Sequence, residues 1–252
     1  MSALQDWTPP AGAVHPVIRS GSDASVLEAI NERWTELAVW RRRTPDYGEW
    51  LGALPKKCLP RLRWSGQARD VYAALDDACE AVETPDGLGR TCLKLDITHL
   101  AERMSTLLGS DRLVVRLDVS RGQPCPRWHR DAVTARLLCT LRGPGTEFRD
   151  ASAALEPPEL LRPEHGGEQS PDLSDGVMRR NQDLEIDRAP GSPHFALGCG
   201  EVGLVRGTNW AGADPMRLLH RSPPAMGDTA RLLLVIDPVD PVSDEEDVRY
   251  PS

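Results

Sequence analysis

The apolar positions change period near residue 113. Upstream they recur at three- and four-residue steps: Leu27, Ile30, Trp34 and Leu37 form one stripe ending in Arg41, and Asp23 or Ser25 is placed to cap the helix that carries it. A second stripe, Val71, Leu75, Ala78 and Val82, predicts a helix over about 68–82 that stops before Pro85-Asp86-Gly87. A third, Leu100, Met104, Leu107 and Leu108, predicts a helix that starts at Asp96 or Thr98 and is ended by Gly109. Pro45, Gly48, Gly52, Pro55 and Pro60 interrupt the chain between the first two, leaving room for one helical turn at Trp50, Leu51 and Leu54.

From residue 113 the apolar positions alternate. Leu113, Val115, Leu117 and Val119 share one face and Val114, Arg116, Asp118 and Ser120 the other, the pattern of a strand with one wet face. Ala135, Leu137, Cys139 and Leu141 then alternate with Arg136, Leu138 and Thr140 before a turn at Gly143-Pro144-Gly145. Strand character returns over 195–205, broken by Gly198, Gly200 and Gly203, and closes with the buried run 231–236. The first 22 residues have no period and read as an arm. Residues 150–194 are rich in Pro, Gly and acidic side chains, an insertion between strands that suits a lid or a segment without fixed structure, and 238–252 form an acidic tail.

Composition narrows the partners more than the fold. With 252 residues and 40% hydrophobic content, one domain with a buried core is the simplest organisation. A net charge of −8 and a pI near 5.3 argue against a nucleic-acid backbone or an anionic membrane as the main partner. Arg41-Arg42-Arg43 accordingly reads as cations at a helix C-terminus, not as a nucleic-acid patch. No signal-peptide pattern opens the chain and no apolar run has the length of a membrane span, so a soluble, cytoplasmic protein is expected. Six cysteines without a C-x-x-C pair fit reduced thiols and argue against a zinc finger. Neither a P-loop, a G-x-S-x-G elbow, a dinucleotide fingerprint nor an internal repeat is present.

The candidate chemistry lies at 126–146. In an extended strand His129 and Asp131 point the same way, one imidazole and one carboxylate side by side. About one His-x-Asp/Glu triplet arises by chance in a chain of this composition, so its surroundings must carry the argument. A second histidine, His220, lies far downstream and is followed by Arg231 on another strand-like run. Two imidazoles and a carboxylate make the set whose usual tenant is non-haem Fe(II) with open coordination positions. Trp128, Arg136, Arg206, Asn209 and Trp210 are candidates to line the mouth, with ordinary packing the simpler role for both tryptophans. His165 and His194 are weaker alternative ligands, and His99 is read as structural.

His129-x-Asp131, His220 and Arg231 resemble the Fe(II)- and 2-oxoglutarate-dependent dioxygenases. That resemblance, over roughly 113–237, implies a double-stranded β-helix (a jelly-roll or cupin-like core) decorated by helices within 1–110, with the core in 111–149 and 195–237. It implies metal ligation by His129, Asp131 and His220, and cosubstrate binding through Arg231, with Arg136 beside it. The implied activity is oxidative decarboxylation of 2-oxoglutarate coupled to hydroxylation of a small-molecule or peptide substrate. Two departures stand out: Leu233 occupies the position, two residues after the arginine, where many such enzymes carry Ser or Thr, and the stretch 207–220 is long. The whole chain also resembles a bacterial family of no agreed activity that shares His-x-Asp, Arg136-Leu137-Leu138-Cys139-Thr140 and Gly143-Pro144-Gly145-Thr146 and is sometimes associated with zinc homeostasis and GTPase metallochaperones. The second expectation is therefore a Zn²⁺-binding or metal-delivery protein of the same fold without oxidative catalysis, using the same three ligands with Cys125 or Cys139.

Overall fold

The alternation after residue 112 folds as expected. In the computed structural model, which describes residues 17–151, 194–212, 217–225, 227 and 229–239, Arg112–Ser120 is strand β4 and Ala135–Arg142 is β5. The short strands Glu147–Asp150 (β6), His194–Ala196 (β7), Val202–Arg206 (β8) and Leu218–Arg221 (β9) follow, and Arg231–Pro238 (β10) closes the run. Three strands come earlier: Val17–Gly21 (β1), Thr35–Trp40 (β2) and Leu62–Gln67 (β3). A large sheet runs β1-β2-β8-β5-β10-β4-β3 and a small one β7-β6-β9.

The segment before β5 joins the small sheet through a bridge between His129 and His220. From β4 onward the chain thus passes between sheets: β4 in the large, the 129 segment in the small, β5 in the large, β6 and β7 in the small, β8 large, β9 small, β10 large. This strand order is a double-stranded β-helix. Pairing within its core is antiparallel, with β10 held between β4 and β5.

Side chains divide between the two faces of the large sheet by the pleat. Leu137, Cys139, Leu141, Leu232, Leu234 and Ile236 face the helices, where they meet Leu93, Ile97, Leu100 and Met104 of α3 (Leu88–Leu108) and Leu75 of α2 (Val71–Glu80). Leu138 and Val235, with Leu37, Val39 and Val205, face the small sheet and pack on Phe148, Phe195 and Leu218. The second layer is the barrel interior.

The N-terminal part differs from its periodicity. Leu27 and Ile30 do share a helix, a 3₁₀ segment over Ala24–Asn31 whose Asp23 carboxylate accepts the Ser25 N–H, but Leu37 belongs to β2. Strand β2 pairs with β1 and β8 and buries both faces, so its apolar residues are nearly continuous and fell into a helical step by coincidence. Arg42 follows a strand, not a helix, and grips Asp96 with both ends of its guanidinium. Helix α3 begins two turns before the expected start. Its early buried face carries Arg90 and Lys94, which pair with Asp76 and with Asp86, so an apolar stripe could not reveal it. Its end was legible, since Gly109 adopts the left-handed conformation at φ 62°. Among the described residues no helix is long and apolar enough to cross a membrane. The expected insertion and acidic tail fall almost wholly outside the described residues.

The turn after β5 presses against the chain leaving β7. A Cβ on Gly145 would fall on the Leu197 carbonyl oxygen, whereas one on Gly52 in α1 (Gly48–Ala53) would meet nothing within 4 Å. Gly145→Ala is therefore expected to destabilise the protein by about 1–3 kcal/mol, while Gly52→Ala stabilises it or leaves it unchanged. Urea-unfolding midpoints of the two variants check this.

Candidate metal centre

Two backbone hydrogen bonds place the candidate ligands. The His129 N–H donates to the His220 carbonyl and the His220 N–H to the His129 carbonyl, each at 3.0 Å, so the two residues form a directly opposed antiparallel pair. Their side chains leave on the same face, with ring centroids 4.5 Å apart. Asp131, two residues after His129, is on that face too, its Oδ1 3.7 Å from His129 Nε2 and its Oδ2 2.9 Å from His220 Nε2. One donor atom from each residue lies within 4.8 Å of the others.

The loop after Asp131 is clamped from the end of β8. Gly207, Thr208 and Asn209 N–H groups donate to the carbonyls of Thr134, Asp131 and Val133, and a Cβ on Gly207 would fall on the Val133 carbonyl. From the other side, Glu36 on β2 accepts the N–H groups of Arg217 and Leu218, which fixes the start of β9 two residues before His220.

The donor set fits a divalent metal. Asp131 Oδ2 is buried and, although 2.9 Å from an imidazole nitrogen, receives no directed hydrogen bond, so a lone pair is left facing the two rings. His129 Nδ1 lies 2.9 Å from the Arg127 carbonyl, a contact that makes Nδ1 the protonated nitrogen and leaves the Nε2 lone pair toward Asp131. Although burial opposes it, contact with His220, Arg136 and His129 holds the Asp131 carboxyl well below the usual carboxylate range. Burial pushes the His220 imidazole below its ordinary 6.5. An ionised carboxylate and a neutral imidazole are the protonation states that bind metal.

Arg231 starts β10 on the barrel-interior face and is 4% exposed. Its Nε donates to the Pro144 carbonyl and its Nη2 to the hydroxyls of Thr140 and Thr146. No carboxylate among the described residues forms an ion pair with it; burial lowers its pKa to about 10, against the opposing charge of Asp118. A guanidinium held in place by neutral acceptors has the chemistry to receive an anion.

The other expected site residues lie elsewhere. Arg136 is not free to hold a cosubstrate, because carboxylates occupy both edges of its guanidinium: Asp237 bidentately at 2.7 Å and Asp131 at 2.5 Å. Arg206 is turned away from the mouth and caps the 3₁₀ segment, donating to the carbonyls of Ile30, Glu32 and Arg33, with the Trp210 ring over it. Trp128 is on the outer side of the small sheet, between the guanidinium groups of Arg149 and Arg221. Asn209 is exposed and donates to the Ala132 carbonyl. His194 lies edge-on to Trp128, and His165 falls outside the described residues. Cys139 is on the helix-facing side of β5, opposite to Arg136, and neither it nor Cys125 joins the ligand group, which removes both thiols from a zinc set.

Sequence reasoning missed Asp237, Glu36, Thr140 and Thr146. Asp237 had a signal, since it shares the period-two face of Arg231, Leu233 and Val235 and ends an otherwise apolar run.

The family profile described as "Protein of unknown function (DUF1826)" matches residues 21–237. No curated protein matches. Among solved structures, the chain is similar to the dioxygenase for auxin oxidation 1 from Arabidopsis thaliana in its 2-oxoglutarate complex, at 10% identity over 89% of this chain and 92% of that one, with a TM-score of 0.46. It is also similar to the rice dioxygenase for auxin oxidation (12% identity, 89% and 83% covered, TM-score 0.44) and to a Pseudomonas putida prolyl-4-hydroxylase (10%, 92% and 97%, 0.35).

The protonation states set a pH dependence. Because His220 has a folded-state pKa below the free value of 6.5, the unfolded chain takes up a proton there that the native state refuses, and stability falls as pH drops below that value. Asp131, also depressed, adds a second loss below its free value of 3.8. The stability of the metal-free protein against unfolding is expected to fall between pH 7.5 and 5.5 by up to about 1.4 kcal/mol per pH unit. Urea titrations at both pH values should show this limb flattened in His220→Gln.

Proposed function

We propose that this chain, which belongs to the family described as proteins of unknown function DUF1826, is a non-haem Fe(II)- and 2-oxoglutarate-dependent oxygenase. The observation that carries the reading is the pairing of two features in one barrel: a His129, Asp131, His220 ligand face, and the buried guanidinium of Arg231, which forms no ion pair among the described residues. A metal-storage role would account for the first but gives no reason for the second. A zinc site without thiolates would also have three protein donors among the described residues, fewer than a closed structural site uses.

Bound Fe(II) with 2-oxoglutarate would supply the activation of O₂ and the oxidising equivalents for hydroxylation. The remaining work belongs to the chain. His129 Nε2, His220 Nε2 and Asp131 Oδ2 offer one side of the metal, and the rest of its coordination sphere is left for small molecules. Arg231 anchors the far carboxylate of the cosubstrate, with the hydroxyls of Thr140 and Thr146 fixing the guanidinium plane. Those two threonines take the place of the Ser or Thr absent at Leu233. Leu138, Val235 and Phe148 line the interior with apolar surface that excludes water. The substrate would be a small molecule or a peptide.

The test is anaerobic addition of Fe(II) and then 2-oxoglutarate, followed by visible absorption. A charge-transfer band is expected with the unaltered protein and none with His129→Ala. In Arg231→Gln the metal should still bind, while the 2-oxoglutarate concentration for half-maximal band rises roughly ten- to a hundredfold, from loss of about 1.5–3 kcal/mol of charge-assisted hydrogen bonding. A protein that retains Zn²⁺ through purification and gives no band with Fe(II) would overturn the oxygenase reading.

A further inference from the structure

The guanidinium of Arg136 joins two carboxylates of unequal standing. One edge, Nε and Nη2, faces Asp237 with two bonds of 2.7 Å, and the remaining Nη1 reaches Asp131 Oδ1 at 2.5 Å. Asp237 lies on β10, next to the last pair of that strand with β5, Ile236 opposite Leu137, and is itself paired with Val114 of β4. Arg116 Nη2 adds a further contact to Asp237 at 3.5 Å. All three members of the chain from Asp237 to Asp131 are largely shielded, with side-chain exposures of 9%, 15% and 14%.

The consequence falls on the two oxygens of Asp131. Oδ1 is taken by Arg136, while Oδ2, buried and without a directed hydrogen bond, is turned to the imidazoles. A free carboxylate can ligate through one oxygen or two. With one, an octahedral ion keeps three open positions beside two histidines, and with two it loses one of them. Charge balance alone does not require this arrangement, because a single ammonium near both carboxylates would serve. A planar fork that holds one carboxylate bidentately and aims its third nitrogen at one oxygen of the other does more.

We infer that Arg136 is a positioning residue for this metal centre, anchored by Asp237, and that it holds Asp131 as a one-oxygen ligand. The inference rests on the metal-site reading above and says nothing of the substrate.

Co(II) titration of the metal-free full-length chain, read by its visible d–d absorption, tests it. The unaltered protein should bind Co(II) and His129→Ala should not. Arg136→Met should bind about ten- to a hundredfold more weakly, the usual effect of removing a residue that orients a ligand, with a changed d–d spectrum as Asp131 is released. Asp237→Asn, which keeps the arginine, should shift affinity and spectrum in the same direction and carries the test if Arg136→Met does not fold. Arg136→Lys should recover the melting temperature of the metal-free protein without recovering the spectrum. If Arg136→Met and Asp237→Asn lower only the melting temperature and bind Co(II) with unaltered affinity and spectrum, the positioning role is overturned and the metal site stands. If the unaltered protein binds no Co(II), the metal site itself falls, and the inference with it.

Discussion

The candidate centre depends on one antiparallel residue pair. By exchanging both backbone hydrogen bonds, His129 and His220 are fixed opposite each other although 91 positions separate them in sequence. Side chains of an opposed pair must share a face, so the imidazoles come together without any attraction between them. Asp131, two residues on in the irregular segment that follows this bridge, comes to the same side, its Oδ2 2.9 Å from His220 Nε2. A shift of one residue in this register would turn His220 outward and replace it with Leu219 or Arg221, which lie on the Trp128 side of the small sheet. Much of the surrounding structure is consistent with a need to hold that register. Phe148 is paired with His220 and packs in the barrel interior, Glu36 secures the entry to β9, and the 207–209 segment secures the exit from Asp131.

A second constraint is charge inside the barrel. Along β10 the interior face runs Arg231, Leu233, Val235, Asp237, an unlike charge at each end with hydrophobic side chains between. Six residues of strand is about 20 Å, too far for the two to neutralise each other. Asp237 is instead satisfied by Arg136 and Arg116, and Arg136 in turn by Asp131. At the other end Arg231 has, among the described residues, a carbonyl and two hydroxyls as its hydrogen-bond partners. Asp237 therefore has its charge matched by direct ion pairs, and Arg231 does not.

How much of this could be foreseen follows from what alternation does and does not fix. That His129 and Asp131 share a face, that Cys139 faces away from Arg136, and that Arg231 and Asp237 share a side are properties of any strand, legible before a partner is known. Which strand lies next to which depends on contacts distant in sequence. Nothing local in Glu36 announces that it receives two N–H groups from β9, and nothing in Arg206 announces that three carbonyls near Asn31 will consume its donors. Arg136 illustrates the limit most clearly. Its face was predictable, but its use was not, because the residue that claims it is 101 positions downstream. The helices fail for the opposite reason. Arg90 and Lys94 are buried polar residues in α3, and a reading that equates buried with apolar discards the turns they occupy.

The unequal treatment of the arginines bears on function more directly than the histidines do. Two imidazoles and a carboxylate near one another suit several metals and several activities, so the ligand face alone does not separate an oxygenase from a zinc carrier. Several other shielded guanidinium groups end on carboxylates or on a ring of carbonyls: Arg42 on Asp96, Arg90 on Asp76, Arg136 on Asp237, Arg206 on the 3₁₀ segment. The fold thus has the means to satisfy such a group. Arg231 is positioned by three neutral acceptors and forms no ion pair among the described residues, at a depth where an unpaired charge is costly. Arg206 shows that four bonds to carbonyls can hold such a group; Arg231 has one carbonyl and two hydroxyls, and the ligand that would complete it is a carboxylate.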